Sequence, residues 1–140
     1  MGKFAKGVYA VKHPEKYVGK MRPIFRSSWE HTFMQFLDHH SSVINWASES
    51  IAIPYRDPLT NKMKNYYPDF FMVYIDKNNV RHAEIIEIKP ESQTGRKKTR
   101  SAINNAQIVK NHAKWAACLA YCQKNGLTFR LVTETQLFGK

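Results

Sequence analysis

Tyr66-Tyr67-Pro68-Asp69-Phe70-Phe71-Met72-Val73-Tyr74-Ile75-Asp76-Lys77-Asn78-Asn79-Val80-Arg81-His82-Ala83-Glu84-Ile85-Ile86-Glu87-Ile88-Lys89-Pro90 is the stretch from which the fold follows. Phe70–Ile75 is a run of aromatic and β-branched residues, and Val80–Lys89 is a second strand stopped by Pro90. Asp76-Lys77-Asn78-Asn79 between them is turn chemistry, so the two runs read as an antiparallel hairpin. If Lys77-Asn78-Asn79 forms a three-residue loop, Asp76 pairs with Val80, and the same register sets Asp69 opposite Glu87. A loop of two or four residues slips the register and turns Asp69 to the wrong face. We therefore expect the three-residue loop, with Asn79 in the left-handed conformation that asparagine tolerates.

Strand side chains alternate, so Glu87 and Lys89 share one face while Ile86 and Ile88 share the other. Glu84 has the opposite parity from Glu87 and reads as structural or solvent-facing. Two carboxylates side by side repel unless a cation sits between them. Oxygen ligands with open water positions suit Mg²⁺, with Mn²⁺ as the alternative. A divalent ion there lowers the pKa of its water and stabilises charge on a phosphate oxygen. The Lys89 ammonium can hold the attacking water or stabilise the pentacovalent state. Asp69, Glu87 and Lys89 in this geometry make a phosphodiester hydrolysis centre.

Outward from the hairpin, Ser27-Ser28-Trp29-Glu30 opens a helix with the spacing of a capping box, and the helix fades by 39–42. Val43–Trp46 and Ser50–Tyr55 read as short strands, with a turn over 56–62. A polar, basic loop spans 91–100. A long helix then runs from Ser101 to about Lys124, with Ala102, Ala106, Val109, Ala113, Ala116 and Ala120 on one side. Gly126 ends it and Leu127–Thr133 is a last strand. The expected fold is α/β, a mixed β-sheet flanked by helices. Residues 1–26, with scattered glycine, proline, bases and aromatics, read as a basic N-terminal arm or irregular lead-in, draped on the domain or on a partner, ahead of a domain over 27–140.

A chain of 140 residues, 43% hydrophobic and 13% aromatic, can bury a core without disulfides or structural metal. No apolar run approaches a membrane span, so a soluble protein with no membrane partner is expected. Cys118 and Cys122 lie four apart on a helix, poorly placed for a disulfide, and read as reduced thiols. The net charge of +11 is unevenly distributed. Residues 1–26 and 89–114 each hold seven bases and one acid, whereas 27–88 hold five bases and eight acids. Basic flanks around a slightly acidic centre suit a protein that grips a phosphate backbone around a metal site, with a generic solvated surface or a basic tail on an acidic partner as the alternative. Arg96, Lys97, Lys98 and Arg100 sit in the loop beside Lys89 and are expected to contact phosphates. His112, His39 and His40 have no acid or nucleophile at a diagnostic spacing and read as surface residues. Tyr66 and Tyr67 are read as core aromatics, with base stacking as the alternative.

Pro68-Asp69 followed by Glu87-Ile88-Lys89 on paired strands resembles the PD-(D/E)xK nuclease superfamily. Restriction enzymes, junction resolvases and transposon-encoded endonucleases belong to that superfamily. Residues 2–19, Arg26-Ser27-Ser28-Trp29-Glu30, Trp46-Ala47-Ser48-Glu49 and Tyr67-Pro68-Asp69-Phe70-Phe71 are similar to the head-completion nucleases of contractile-tailed phages. That similarity extends over almost the whole chain. The resemblance implies a restriction-endonuclease-like core, with Asp69, Glu87, Lys89 and Glu30 as catalytic residues. It implies a metal set of Asp69, Glu87, Ile88 and Glu30, with no small-molecule cofactor. Glu30 matches the first-helix glutamate that often joins the superfamily's metal site, although the capping box accounts for it equally well. Glu49 is a weaker acidic candidate, read as a strand-edge charge.

The superfamily also places a polar or basic side chain on the helix after the motif. Gln107, Lys110 and Lys114 share a helix face, and Gln107 and Lys110 are assigned to nucleic-acid binding with the loop bases; Lys114 reads equally as solvated. The implied activity is cutting of double-stranded DNA by a virion-associated nuclease, after packaging and before tail joining. Phage head or neck proteins would be its partners, and the host cytoplasm its place during assembly. Two alternatives stand beside it: a TnsA-like transposon or repair endonuclease, and a non-catalytic DNA-binding head connector.

Overall fold

In a computed structural model, which describes residues 6–94 and 102–137, the chain runs β1 (Gly7–Val8), β2 (Ile24–Phe25), α1 (Ser28–His39), β3 (Val43–Ser48), β4 (Ile53–Asp57), β5 (Lys62–Tyr66), β6 (Phe70–Ile75), β7 (Arg81–Ile88), a 3-10 turn (Glu91–Gln93), α2 (Ala102–Asn125), β8 (Thr128–Val132) and α3 (Glu134–Leu137). The main sheet has the order β3-β6-β7-β8, with the β3–β6 and β6–β7 pairs antiparallel and β8 parallel to β7. A parallel pair needs a crossover, and α2 supplies it. The mixed α/β architecture read from the sequence is the one observed.

The hairpin forms with the three-residue loop. The Asp76 N–H donates to the Val80 carbonyl at 2.9 Å, Asn79 has φ +64°, and Phe70 lies opposite Ile86. Helix α1 starts where Ser27 caps it, its Oγ accepting the Glu30 N–H at 3.1 Å. Gly126, with φ +69°, ends α2 as the left-handed residue after a helix.

Two cores lie on the two faces of the sheet. On one face α1 brings Met34 and Leu37 onto Trp46, Phe70, Met72 and Ile86. On the other, α2 brings Trp115, Cys118 and Cys122 onto Ile85 and onto Ile53, Tyr55 and Tyr66 of the β4–β5 ribbon. The packing side of α2 is therefore Asn111, Trp115, Cys118 and Cys122, all buried, while Val109, Ala116 and Ala120 of the alanine stripe are exposed. Alanine has little area to remove from water, so the bulkier side decides which way a helix faces.

Two further departures have physical causes. The turn expected at 56–62 is the tip of a ribbon whose second strand, β5, is largely exposed and has too little apolar patterning to stand out. The first turn of α3 is organised by Gln136, whose Oε1 accepts both the Thr133 N–H, at 2.7 Å, and the Thr133 hydroxyl, at 2.9 Å.

The N-terminal segment, over its described part, lies on the domain and adds to its core. Tyr9 is 7% exposed, and its hydroxyl donates to Asp38 Oδ2 at 2.7 Å. The Lys12 and His13 N–H groups donate to the same carboxylate at 2.7 and 3.1 Å. Trp46 and the 16–18 segment exchange main-chain bonds of 2.9 and 3.0 Å, lengthening the sheet beyond β3. No described helix is long and apolar enough to cross a membrane.

Candidate active site

The register of β6 and β7, continued one residue past Phe70 and Ile86, brings Asp69 to Glu87 where the two strands end. The Asp69 N–H donates to Glu87 Oε1 at 3.3 Å, and the Ile88 N–H donates to Asp69 Oδ2 at 2.8 Å. Lys89 Nζ stands 3.7 Å from Glu87 Oε2. Ile88 packs its side chain into the α1-side core, so only its main chain reaches the site. Asp69, Glu87 and Lys89 line one open cleft of about 560 Å³, together with Arg26, Glu49, Tyr66 and Lys114.

Electrostatics in the cleft are tense. Burial pushes the Asp69 carboxyl well above the ordinary aspartate value, and the Glu87 and Glu30 charges push it further. Burial also raises Glu87, with the Lys89 ammonium pulling in the opposite direction. The buried Tyr66 hydroxyl stands beside Glu87 without a hydrogen bond of normal geometry, and its proton is held more tightly than usual by burial and by that neighbouring charge. On the α2 wall, Lys114 lies over the Tyr66 ring at 5.6 Å. Burial lowers its pKa, and the nearby Lys89 lowers it further.

The remaining sequence candidates divide. Glu30 is occupied as a helix-start residue, its Oε1 accepting the Arg26 N–H at 3.0 Å. It is close enough for its charge to act on Asp69, and burial raises its own pKa. Among the described residues no three His, Cys, Asp or Glu side chains are gathered as a ready metal cage. Lys110 reaches the buried Asp57 at 3.8 Å rather than the cleft. Gln107 donates to Asn111 Oδ1 at 2.9 Å and does not line the cleft. The loop bases Arg96, Lys97, Lys98 and Arg100 lie outside the described residues.

Lys114, which a solvated helix face would equally have explained, is the α2 base that enters the cleft. Tyr66 is buried, as read, while Tyr67 is exposed on the cleft wall. Glu84 is structural, paired with Arg130 at 3.1 Å and with the Tyr74 hydroxyl at 3.2 Å. Arg26 carries no local sequence signal for the site and reaches it only through the packing of the segment before α1.

A family model described as TnsA-like endonuclease N terminal matches residues 40–134. A head completion nuclease of Enterobacteria phage T4 is 31% identical over 144 aligned residues, covering 94% of this chain and 92% of that protein. The chain belongs to the TnsA-like endonuclease N-terminal family. It is a nuclease by that membership, and its mixed sheet with flanking helices is the restriction-endonuclease-like fold of the family. The stretch matched to the TnsA-like family contains Glu49, Asp69, Glu87, Lys89 and Lys114, whereas Arg26 and Glu30 precede it.

Proposed function

We propose that this chain is a metal-dependent DNA nuclease that hydrolyses phosphodiester bonds, and that it acts in phage head completion, after packaging and before head and tail join. The observation that carries the reading is the pair Asp69 and Glu87 at the strand ends, with Lys89 in the same cleft. The donor set suits Mg²⁺ or Mn²⁺: two carboxylates that repel each other, in a cleft open to water. Asp69, Glu87 and the main chain at Ile88 would hold the ion, with Glu30 near enough to add charge. Bound there, a divalent ion supplies Lewis acidity toward a phosphate oxygen and an acidified water.

The protein's own groups do the rest. Lys89 and Lys114 put two ammonium groups near the place where charge builds on the phosphorus oxygens. The lowered pKa of Lys114 suits it to give a proton to a leaving oxygen. Tyr66 keeps its proton and can donate it as a hydrogen bond to Glu87 once that carboxylate is fully ionised. The site phrase in the relative's name, head completion, supports the phage context at nearly full-length coverage of both chains.

The test is incubation of the purified protein with supercoiled and linear double-stranded DNA, with Mg²⁺, with Mn²⁺ or with EDTA. Cleavage should occur with metal and stop with EDTA. Asp69→Ala, Glu87→Ala and Lys89→Ala should each abolish it. Wild-type rates from Asp69→Ala would overturn the site assignment.

A further inference from the structure

Among the described residues, Glu49, Asn61, Asn79 and Gly126 have a left-handed backbone, with φ of +49°, +58°, +64° and +69°. Asparagine and glycine tolerate that conformation; glutamate is strained in it. Glu49 is therefore the exception among the four. Its main chain accounts for the bend, since its N–H donates to the Asp69 carbonyl at 3.0 Å, but a glycine would make the same bond without strain. The side chain has to justify itself.

The Glu49 carboxylate is paired with the Arg26 guanidinium through Nη1. Arg26 is fixed at its other end, its N–H held by Glu30 Oε1 at 3.0 Å. Both side chains line the cleft that contains Asp69, Glu87 and Lys89. The Arg26 side chain remains 53% exposed, with one of its guanidinium nitrogens engaged on Glu49. A planar guanidinium can hold a carboxylate on one edge and a phosphate on another, which an ammonium cannot do with the same geometry.

We propose that Arg26 binds a phosphate of the DNA strand in the cleft, and that Glu49 is its positioning residue, kept at a left-handed position because its carboxylate holds the guanidinium over the carboxylate pair. This rests on the DNA-nuclease reading above. The pair joins the β3–β4 bend to the start of α1, so a phosphate seated on Arg26 is indexed to Asp69 through Glu49's own main chain.

Binding of a fluorescent duplex is measured by anisotropy in EDTA across a salt series, with melting temperature and Mg²⁺-supported cleavage measured in parallel. Arg26→Ala should weaken binding about tenfold and lower the salt slope by about one. Glu49→Gly should melt at the same or a higher temperature, because the strain is gone, yet lose nearly as much binding. The double variant should bind no worse than Arg26→Ala. Glu49→Gln, which keeps an acceptor, should retain most of the affinity, and Arg26→Lys should not. Tighter binding by Glu49→Gly would make Glu49 a mask over Arg26 and overturn the proposal. Losses that multiply in the double variant would also overturn it, giving Glu49 a separate role such as holding metal. If wild type cuts DNA and Arg26→Ala binds as wild type does, this inference alone fails. If wild type neither binds nor cuts DNA, the reading beneath it has failed first.

Discussion

Asp69 shows what one residue contributes. Its carboxyl is destabilised in the metal-free protein by burial first and then by Glu87 and Glu30, so its pKa is raised on folding. A carboxyl raised in the folded state holds its proton longer there than in the unfolded chain. Stability then falls as pH rises from the unfolded value, near 4, through the raised folded value. Asp69→Asn keeps an oxygen for the Ile88 N–H and removes the charge. Its metal-free melting temperature should match wild type near pH 4 and exceed it at pH 7. The gain should be roughly 3 °C, the shift that about 1 kcal/mol produces in a domain of this size. Mg²⁺ should raise the melting temperature of wild type only, and calorimetry across pH with and without the ion checks both. The pairing of Asp69 with Glu87 was legible in the sequence because a loop of three residues and strand alternation are local rules. Lys114 was not, since helical spacing names its neighbours on α2 and is silent about the Tyr66 ring across the cleft.

Elements show where local rules stop. The segment before α1 carries the glycines and prolines of a loose lead-in, yet Asp38, near the end of α1, draws in Tyr9, Lys12 and His13 from 25 or more residues away. No window of sequence contains both sides of that contact. Burial works against ionised Asp38, but the hydrogen bonds from Lys12, Tyr9 and His13 win, and its pKa is lowered. Stability from a depressed carboxyl is present above the unfolded pKa and is lost as pH falls through the folded value. Asp38→Ala should cost roughly 3 kcal/mol, because three donors lose a buried charged acceptor. Limited proteolysis should then cut within 6–25, sites that wild type protects. The same contact means that deleting residues 2–20 removes part of the core rather than a detachable arm. Helix α2 gives the complementary lesson: its boundaries were legible from Gly126 and its polar lead-in, but its facing was not, because a stripe of small residues looks apolar and buries little.

At the scale of the whole molecule, charge is the property that composition states most directly. A net +11, concentrated in two flanks, is the charge that the proposed DNA nuclease would use to grip a backbone without regard to sequence. Replacing Arg96, Lys97, Lys98 and Arg100 together with alanine should weaken binding of unrelated duplexes alike and flatten the salt dependence by up to ~4 units of slope. Titration of two unrelated duplexes over a salt series measures both effects. The head-completion reading makes a separate demand, that cutting and residence at the head be distinct. Glu87→Ala protein should still sediment with filled heads, while those heads fail to join tails. Normal infectious particles from that variant would make catalysis dispensable and favour a connector.

Cys118 and Cys122 sit fully buried on the inner face of α2, one and two turns beyond Lys114. Burial raises both thiols above their ordinary pKa and keeps them from reagents while α2 lies on the sheet. They therefore serve as a built-in clock. Each alkylation requires an opening that uncovers the inner face of α2, the helix that carries Lys114, so mass increments accumulating with time are expected to count such openings. Near-simultaneous addition at both sulfurs would mark the opening as a single event, and saturating Mg²⁺ and DNA should slow that clock by the fraction of molecules they hold closed.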